Sequence, residues 1–257
     1  MSWDTIRLDW DGAVATVTVD RPEKLNALTL ETLDGLEEAL AAAEGEGARA
    51  LVLTGAGEES FVAGADIEEL RSLSVPEAHA YGEQGQAIAR KLETFPAPTI
   101  AAVNGYALGG GCEFALACDL RVASERAILG QTEIDLGVIP GWGGTQRLPA
   151  LVGDELARRL IFFGERIDAQ DAQEYGLVGE VVAHDQLRDH VADIAADLAA
   201  KPAFALATAK EMLNAYHEES RDAALRHEVR AWSGLFGTHD QREGMAAFVE
   251  KRDPEFE

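Results

Sequence analysis

NGYALGGGCE, residues 104–113, sets an apolar run against three consecutive glycines and places an acid two residues after the last of them. Glycine loses more conformational freedom on ordering than any other residue, so three in a row need a local reason. A sharp turn is one reason. The other is a partner that approaches the backbone more closely than a Cβ allows. The stretch continues TIAAVNG (99–105), which reads as a buried strand, and helical pattern begins at about Cys112 and runs through EFALAC. Strand, glycine turn and helix in that order form the repeating unit of a mostly parallel α/β sheet.

Nearer the N-terminus, TIRLDW and AVATVTVD flank Asp11-Gly12, a hairpin signal with alternating apolar positions. Thr29 is placed to cap a helix that carries Leu33, Leu36, Leu40 and Ala43 on one face. ALVLTG (50–55) and DLRVAS (119–124) read as further buried strands, with helical stretches between them. Beyond about residue 150 the periodicity is almost entirely helical, with one short strand at LVGEVVA. The spacing therefore predicts an α/β core over 1–195 and a helical C-terminal region over 196–257.

Forty-six acidic residues stand against 22 basic ones, for a net charge of −24, and only five of the basic residues are lysines. Such a shell repels phosphates and argues against nucleic-acid binding. The acids are dispersed rather than gathered in a tail, as expected of a surface adapted to high salt, where screening shortens repulsion to ~3 Å at 1 M. No apolar run approaches the ~20 residues of a membrane span, and MSWDTIRLDW lacks the pattern of a secretory signal. Cys112 and Cys118 fit no zinc or CxxC spacing, in keeping with a reduced, cytoplasmic protein. No metal is expected, and His79, His184, His190, His217, His227 and His239 are read as surface residues.

Three stretches carry chemistry. In GGGCE, a helix start offers unpaired N–H groups, so the N–H of Gly110 is available to a ligand oxygen, with Glu113 in the first turn beside it. FVAGADIEEL (61–70) repeats the design: Ala63-Gly64-Ala65 precede Asp66, which opens a helix as a capping acid. Both stretches follow strands of one parallel sheet, so the N–H groups of Ala65 and Gly110 fall on the same edge. LGQTEIDLGVIPGWGGTQRL (129–148) holds Glu133 in an irregular segment that emerges on that edge too. Each stretch also has a plainer reading: a tight turn, a dipole-complementing glutamate, a solvated loop acid. None is a phosphate loop, since no Lys-Ser/Thr pair follows the glycines and GxGxxG is absent.

Taken together, NGYALGGGCE, FVAGADIEEL, LGQTEIDLG, IPGWGGTQRLPALVG and REGMAAFVEKR resemble the enoyl-CoA hydratase (crotonase) family, from RPEKLNALT near the start to the end of the chain. The resemblance implies a crotonase-like spiral of repeated ββα units with a helical C-terminal trimerisation region, assembled as a homotrimer or a dimer of trimers. It implies that Ala65 and Gly110 donate to a thioester carbonyl oxygen, and that Glu113 and Glu133 are the acid/base pair. Members that only isomerise keep the donors but often lack one glutamate, so the presence of both favours hydration. Lys24, Leu25, Ala27, Ala63, Asp66 and Ile67 match segments that wrap coenzyme A, while Phe248 and Lys251 match positions that reach the coenzyme A of a neighbouring subunit. Coenzyme A is then part of the substrate, and no separate cofactor is implied. Trp142, beside Gly141, stands where some members carry a small residue, and either shortens the acyl pocket or packs beneath the loop. The alternatives are an enoyl-CoA isomerase, an RNA-binding member of this scaffold, which the charge disfavours, and the hydratase partner of a separate dehydrogenase.

Overall fold

The computed structural model describes residues 1–257, the side chains of residues 217 and 218 excepted. β1 (Ile6–Asp11) and β2 (Val14–Val19) form the antiparallel hairpin around Asp11-Gly12, with Ile6 opposite Val19 and Asp11 opposite Val14. α1 (Leu30–Gly45) starts at Thr29, whose side chain accepts from the N–H of Thr32, and it buries Leu33, Leu36, Leu40 and Ala43.

Three successive turns of chain then repeat one plan. β3 (Ala50–Gly55) is followed by β4 (Ser60–Val62) and by α2 (Ile67–Leu70) and α3 (Val75–Glu93). β5 (Thr99–Val103) is followed by β6 (Tyr106–Leu108) and α4 (Gly110–Ala117). β7 (Leu120–Ser124) is followed by β8 (Ile128–Gly130), a 3-10 turn at Glu133–Leu136, and α5 (Gly144–Val152). In each turn the first strand joins a large sheet and the second a small one. This is the spiral of ββα units that the resemblance implied.

α6 (Asp154–Phe163), β9 (Arg166–Asp168), α7 (Ala169–Glu174) and β10 (Glu180–Val182) complete both sheets. The large sheet has the order β1-β2-β3-β5-β7-β10 and is parallel from β2 onward; the small sheet has the order β4-β6-β8-β9. The single parallel sheet expected from the sequence is thus corrected to two. The strands of the small sheet are three residues each, too short to show a period of two. Asn104 joins the layers: its Nδ2 donates to the carbonyls of Gly55, Gly57 and Ser60, tying the crossing of one turn to that of the next.

β3 and β5 are buried on both faces, which explains their continuous apolar runs. Leu51, Leu53, Ala101 and Val103 face the main core with α1, α3 and α4. Val52, Ile100 and Ala102 face the other way, against α8 (Leu187–Ala199), through Leu187, Val191 and Ala195. The division placed at residue 195 falls inside α8, which packs on the sheet. α9 (Ala203–Glu218), α10 (Arg221–Leu235) and α11 (His239–Glu250) follow. Among the described residues no helix is long and apolar enough to cross a membrane.

Candidate active site

The three glycines answer to three different neighbours. Gly109 takes φ +51° at the start of α4, and a Cβ there would lie 3.1 Å from Oε1 of Glu133. A Cβ on Gly110 would lie 2.3 Å from the ring of Trp142. One on Gly111 would lie 2.0 Å from the carbonyl oxygen of Val62, so α4 rests directly on the backbone of β4. The absence of a side chain at Gly110 therefore admits an indole, where the sequence suggested a ligand.

That packing brings two backbone donors to one cavity of about 380 Å³, lined by Ala65, Gly110, Glu113 and Glu133 together with Ala63, Ile67, Gly141 and Trp142. Leu28 is bridged to Ala65 by donating to the carbonyl of Gly64 (2.8 Å) and accepting from the N–H of Asp66 (2.8 Å). Alternate residues of an extended segment direct their polar groups to opposite sides, so the N–H of Ala65 faces away from Leu28. β4 meets β6 on that other side, just before α4 begins. Gly110, as the first residue of α4, has an N–H with no intrahelical acceptor. Among the described residues neither N–H donates to a backbone carbonyl.

Glu113 is 2 % exposed, and its Oε1 accepts from the N–H groups of Trp142 and Gly144, each at 2.7 Å. Both bonds fall on one oxygen, and Glu113 lines the cavity. Burial pushes this carboxyl up from its ordinary range, while the Gly144 and Trp142 donors and the charge of Arg147 pull it back. Glu133 opens the 3-10 turn after β8, and its Oε2 is buried without a hydrogen-bond partner. Burial, then repulsion from Glu113, pushes its carboxyl up to about 7. The two acids are thereby differentiated. The N–H groups of Trp142 and Gly144 favour the ionised form of Glu113, whereas burial and the charge of Glu113 outweigh the one donor of Glu133, its own N–H, so that Glu133 retains a proton near neutrality.

Trp142 is packed in the core and also lines the cavity. It is 4 % exposed and stacks on Phe114 with ring centroids 5.1 Å apart, while one side of it walls the cavity beside Tyr81, 5.3 Å away. The remaining expected positions divide. Leu25 and Ala27 do not line the cavity; the Leu25 carbonyl accepts from the N–H of Ala63, which does, and the Ala27 carbonyl accepts from Arg21. Asp66 caps α2 and pairs with Arg21 at 3.4 Å, and the exposed Lys24 lies 3.8 Å from Glu68. Phe248 and Lys251, on and just after α11, do not line this cavity within the chain, and Phe248 is 85 % exposed.

Tyr81, Val138, Ile139 and Arg166 line the cavity without having been singled out from the sequence. Tyr81 sits within the helical period of α3, and nothing in the chain marks it apart from an ordinary core residue. His184 departs from the surface reading: its side chain is 9 % exposed, with Nδ1 2.8 Å from Ser124 Oγ and Nε2 2.6 Å from Glu58. The side chain of His217 lies outside the described residues.

A family model described as enoyl-CoA hydratase/isomerase matches residues 9–257. The chain is 43% identical to a short-chain-enoyl-CoA hydratase of Clostridium acetobutylicum, covering 98% of this chain and 97% of that protein. It is 42% identical to a crotonyl-CoA hydratase of Syntrophomonas wolfei, covering 100% of this chain and 99% of that one. The crystal structure of an enoyl-CoA hydratase from Bacillus anthracis superimposes with a TM-score of 0.95 at 40% identity, over 98% of this chain and 99% of the other.

Proposed function

Because the chain belongs to the enoyl-CoA hydratase/isomerase family, we propose that it is an enoyl-CoA hydratase acting on short trans-2-enoyl-CoA thioesters, reversibly, with the four residues of the cavity in the roles that follow. The observation that carries this reading is the sharing of one cavity by two unengaged backbone donors and two carboxyls, Glu113 held by the N–H groups of Trp142 and Gly144 and Glu133 with a buried oxygen that has no partner. Water adds at C3 of the enoyl group, and negative charge develops on the thioester oxygen. The N–H groups of Ala65 and Gly110 stabilise that charge, and one such donor is typically worth about 3–4 kcal/mol in the transition state. Glu113 takes a proton from water through Oε2, and Glu133 gives its proton to C2. The step leaves Glu113 protonated and Glu133 ionised, and exchange with solvent resets the pair. Isomerisation needs one carboxyl to move a proton along the acyl chain; a second, poised acid favours hydration.

Coenzyme A enters as part of the substrate. Its binding is assigned to Lys24, Leu25, Ala27, Ala63, Asp66 and Ile67, of which Ala63 and Ile67 line the cavity, and the acyl side to Gly141 and Trp142, which line it too. Phe248 and Lys251 fit the role only from a neighbouring copy in a homotrimer or a dimer of trimers. The exposed apolar side chains on and just after α10 and on α11, Trp232, Phe236, Phe248 and Val249 among them, support such an assembly. The charge of −24 supports a surface adapted to high salt, and the two free cysteines a reducing, cytoplasmic setting.

One assay tests the reading: loss of the conjugated-thioester absorbance of crotonyl-CoA and of a ten-carbon enoyl-CoA, from low to several molar salt. Hydration with a preference for the four-carbon substrate and an optimum at molar salt is the expected result. Equal rates on both chains count against the Trp142 wall as a limit on length, and absence of hydration with double-bond migration in its place selects the isomerase.

A further inference from the structure

The TQRL portion of IPGWGGTQRL lies outside the cavity, yet it bears on the proposed base. Arg147, in the first turns of α5, stands behind the 141–144 loop on the side away from the cavity. Its Nη1 donates to the carbonyl of Trp142 at 3.0 Å. Its other nitrogens are held by Glu93 at the end of α3, Nη2 to Oε2 at 3.0 Å and Nε to Oε1 at 3.4 Å. The carbonyl it grips belongs to the peptide unit between the two whose N–H groups, of Trp142 and Gly144, hold Glu113 at 2.7 Å. The loop is built to admit this guanidinium closely: Gly143 takes φ +106°, and a Cβ there would lie 2.2 Å from Nη1. The side chain is mostly buried, with 18 % of its surface exposed.

We propose that Arg147, braced by Glu93, is a positioning residue for the hydratase reaction, fixing the peptide units that aim Glu113. The inference rests on the role given to Glu113 above. The planar fork suits it: one edge takes the Glu93 carboxylate and the remaining nitrogen takes a carbonyl, which a lysine ammonium reproduces less well. Other charges face the same groups. Arg90 bonds to Glu93 from α3 at 3.2 Å, and the groove outside α5 carries Glu83, Asp119 and Arg121. On the cavity side Glu113 faces Glu133, with Asp135 and Arg166 on the wall. The nearby charge of Arg147 acts on Glu113 from behind the loop in the direction that favours the ionised form.

The test compares Arg147→Met, Arg147→Lys and wild type by the pH dependence of crotonyl-CoA hydration. Arg147→Met is expected to lose about ten- to a hundredfold in kcat with KM within about twofold. Removing a positive charge raises the proton affinity of the base, so the acid limb of its kcat/KM profile moves to higher pH. Arg147→Lys keeps the charge and loses the fork, so its acid limb stays near the wild-type position while kcat falls several-fold. A merely structural role lowers the melting temperature and leaves the acid limb of both variants in place. That result, or a wild-type kcat in Arg147→Lys, overturns the proposal, and the lysine variant decides it if Arg147→Met does not fold. Absence of hydration in the wild type would instead count against the hydratase reading itself.

Discussion

Glu133→Gln lowers kcat for crotonyl-CoA hydration by about 10²–10⁴-fold and, above neutral pH, makes the protein more stable. The kinetic half follows from the loss of the proton delivered to C2. Glu113→Gln loses a comparable factor because water is no longer deprotonated, and the double variant is little worse than either, since the two groups act as a unit. The stability half follows from the folded-state carboxyl being pushed up to about 7 from an ordinary value of 4.5. Below pH 4.5 the group is protonated in both folded and unfolded chains and costs nothing. As pH rises the unfolded chain loses the proton first, so the folded form is increasingly disfavoured, and the cost reaches its full value once both are ionised above pH 7. The full cost is about 3 kcal/mol at 1.36 kcal/mol per unit. A neutral glutamine does not carry it, so the melting temperature of Glu133→Gln exceeds the wild type at pH 8 and equals it near pH 4. The same group sets the alkaline limb of hydration in the wild type, with kcat/KM falling above about pH 7. Equal melting curves at pH 8, together with undiminished turnover, would remove Glu133 from its role.

Gly111→Ala has the second large effect, although residue 111 contributes no group to the cavity. Its Cβ would meet the Val62 carbonyl oxygen at 2.0 Å and the carbonyl carbon at 2.7 Å, and backbone in the middle of a packed layer does not yield as a side-chain tip does. Overpacking of this kind costs about 3 kcal/mol. For a chain of this length that is a fall of roughly 6–12 °C in melting temperature. The displacement lifts the start of α4 from β4 and carries Gly110 and Glu113 with it. Turnover is therefore expected to fall by about 10²–10³-fold, the loss typical of one oxyanion donor. Thermal melts and crotonyl-CoA kinetics on the purified variant check both numbers. A wild-type melting temperature would show that the layers are not in the contact described.

The parts of the fold that follow from local rules were legible in the chain. Asp11-Gly12 between alternating strands made the hairpin, Thr29 the cap of α1, and the apolar runs of 50–55 and 99–103 the doubly buried strands. The small sheet was not legible, because SFV, YAL and ILG are too short to carry a period, and it is this sheet that presents Ala65, Gly110 and Glu133. The order of the site along the chain could be read, but its cause could not. The glycine triplet marked a close approach without saying that an indole, a carboxylate and a strand backbone would be the three neighbours. Glu133 was an isolated loop acid until the fold placed it over Gly109. Arg147 had no visible role because its partners lie 54 residues back and five residues back along the chain, at Glu93 and Trp142.

In the proposed mechanism amides from two turns of the spiral address one thioester oxygen while two carboxyls grip one water. A crystal structure of the Glu133→Gln variant with crotonyl-CoA puts that arrangement to the test. The expected result is a thioester oxygen within about 3 Å of the backbone nitrogens of both Ala65 and Gly110, with a water between residue 133 and Oε2 of Glu113. A thioester bound with its oxygen turned away from either nitrogen, or carboxyl groups unable to touch a common water, contradicts it.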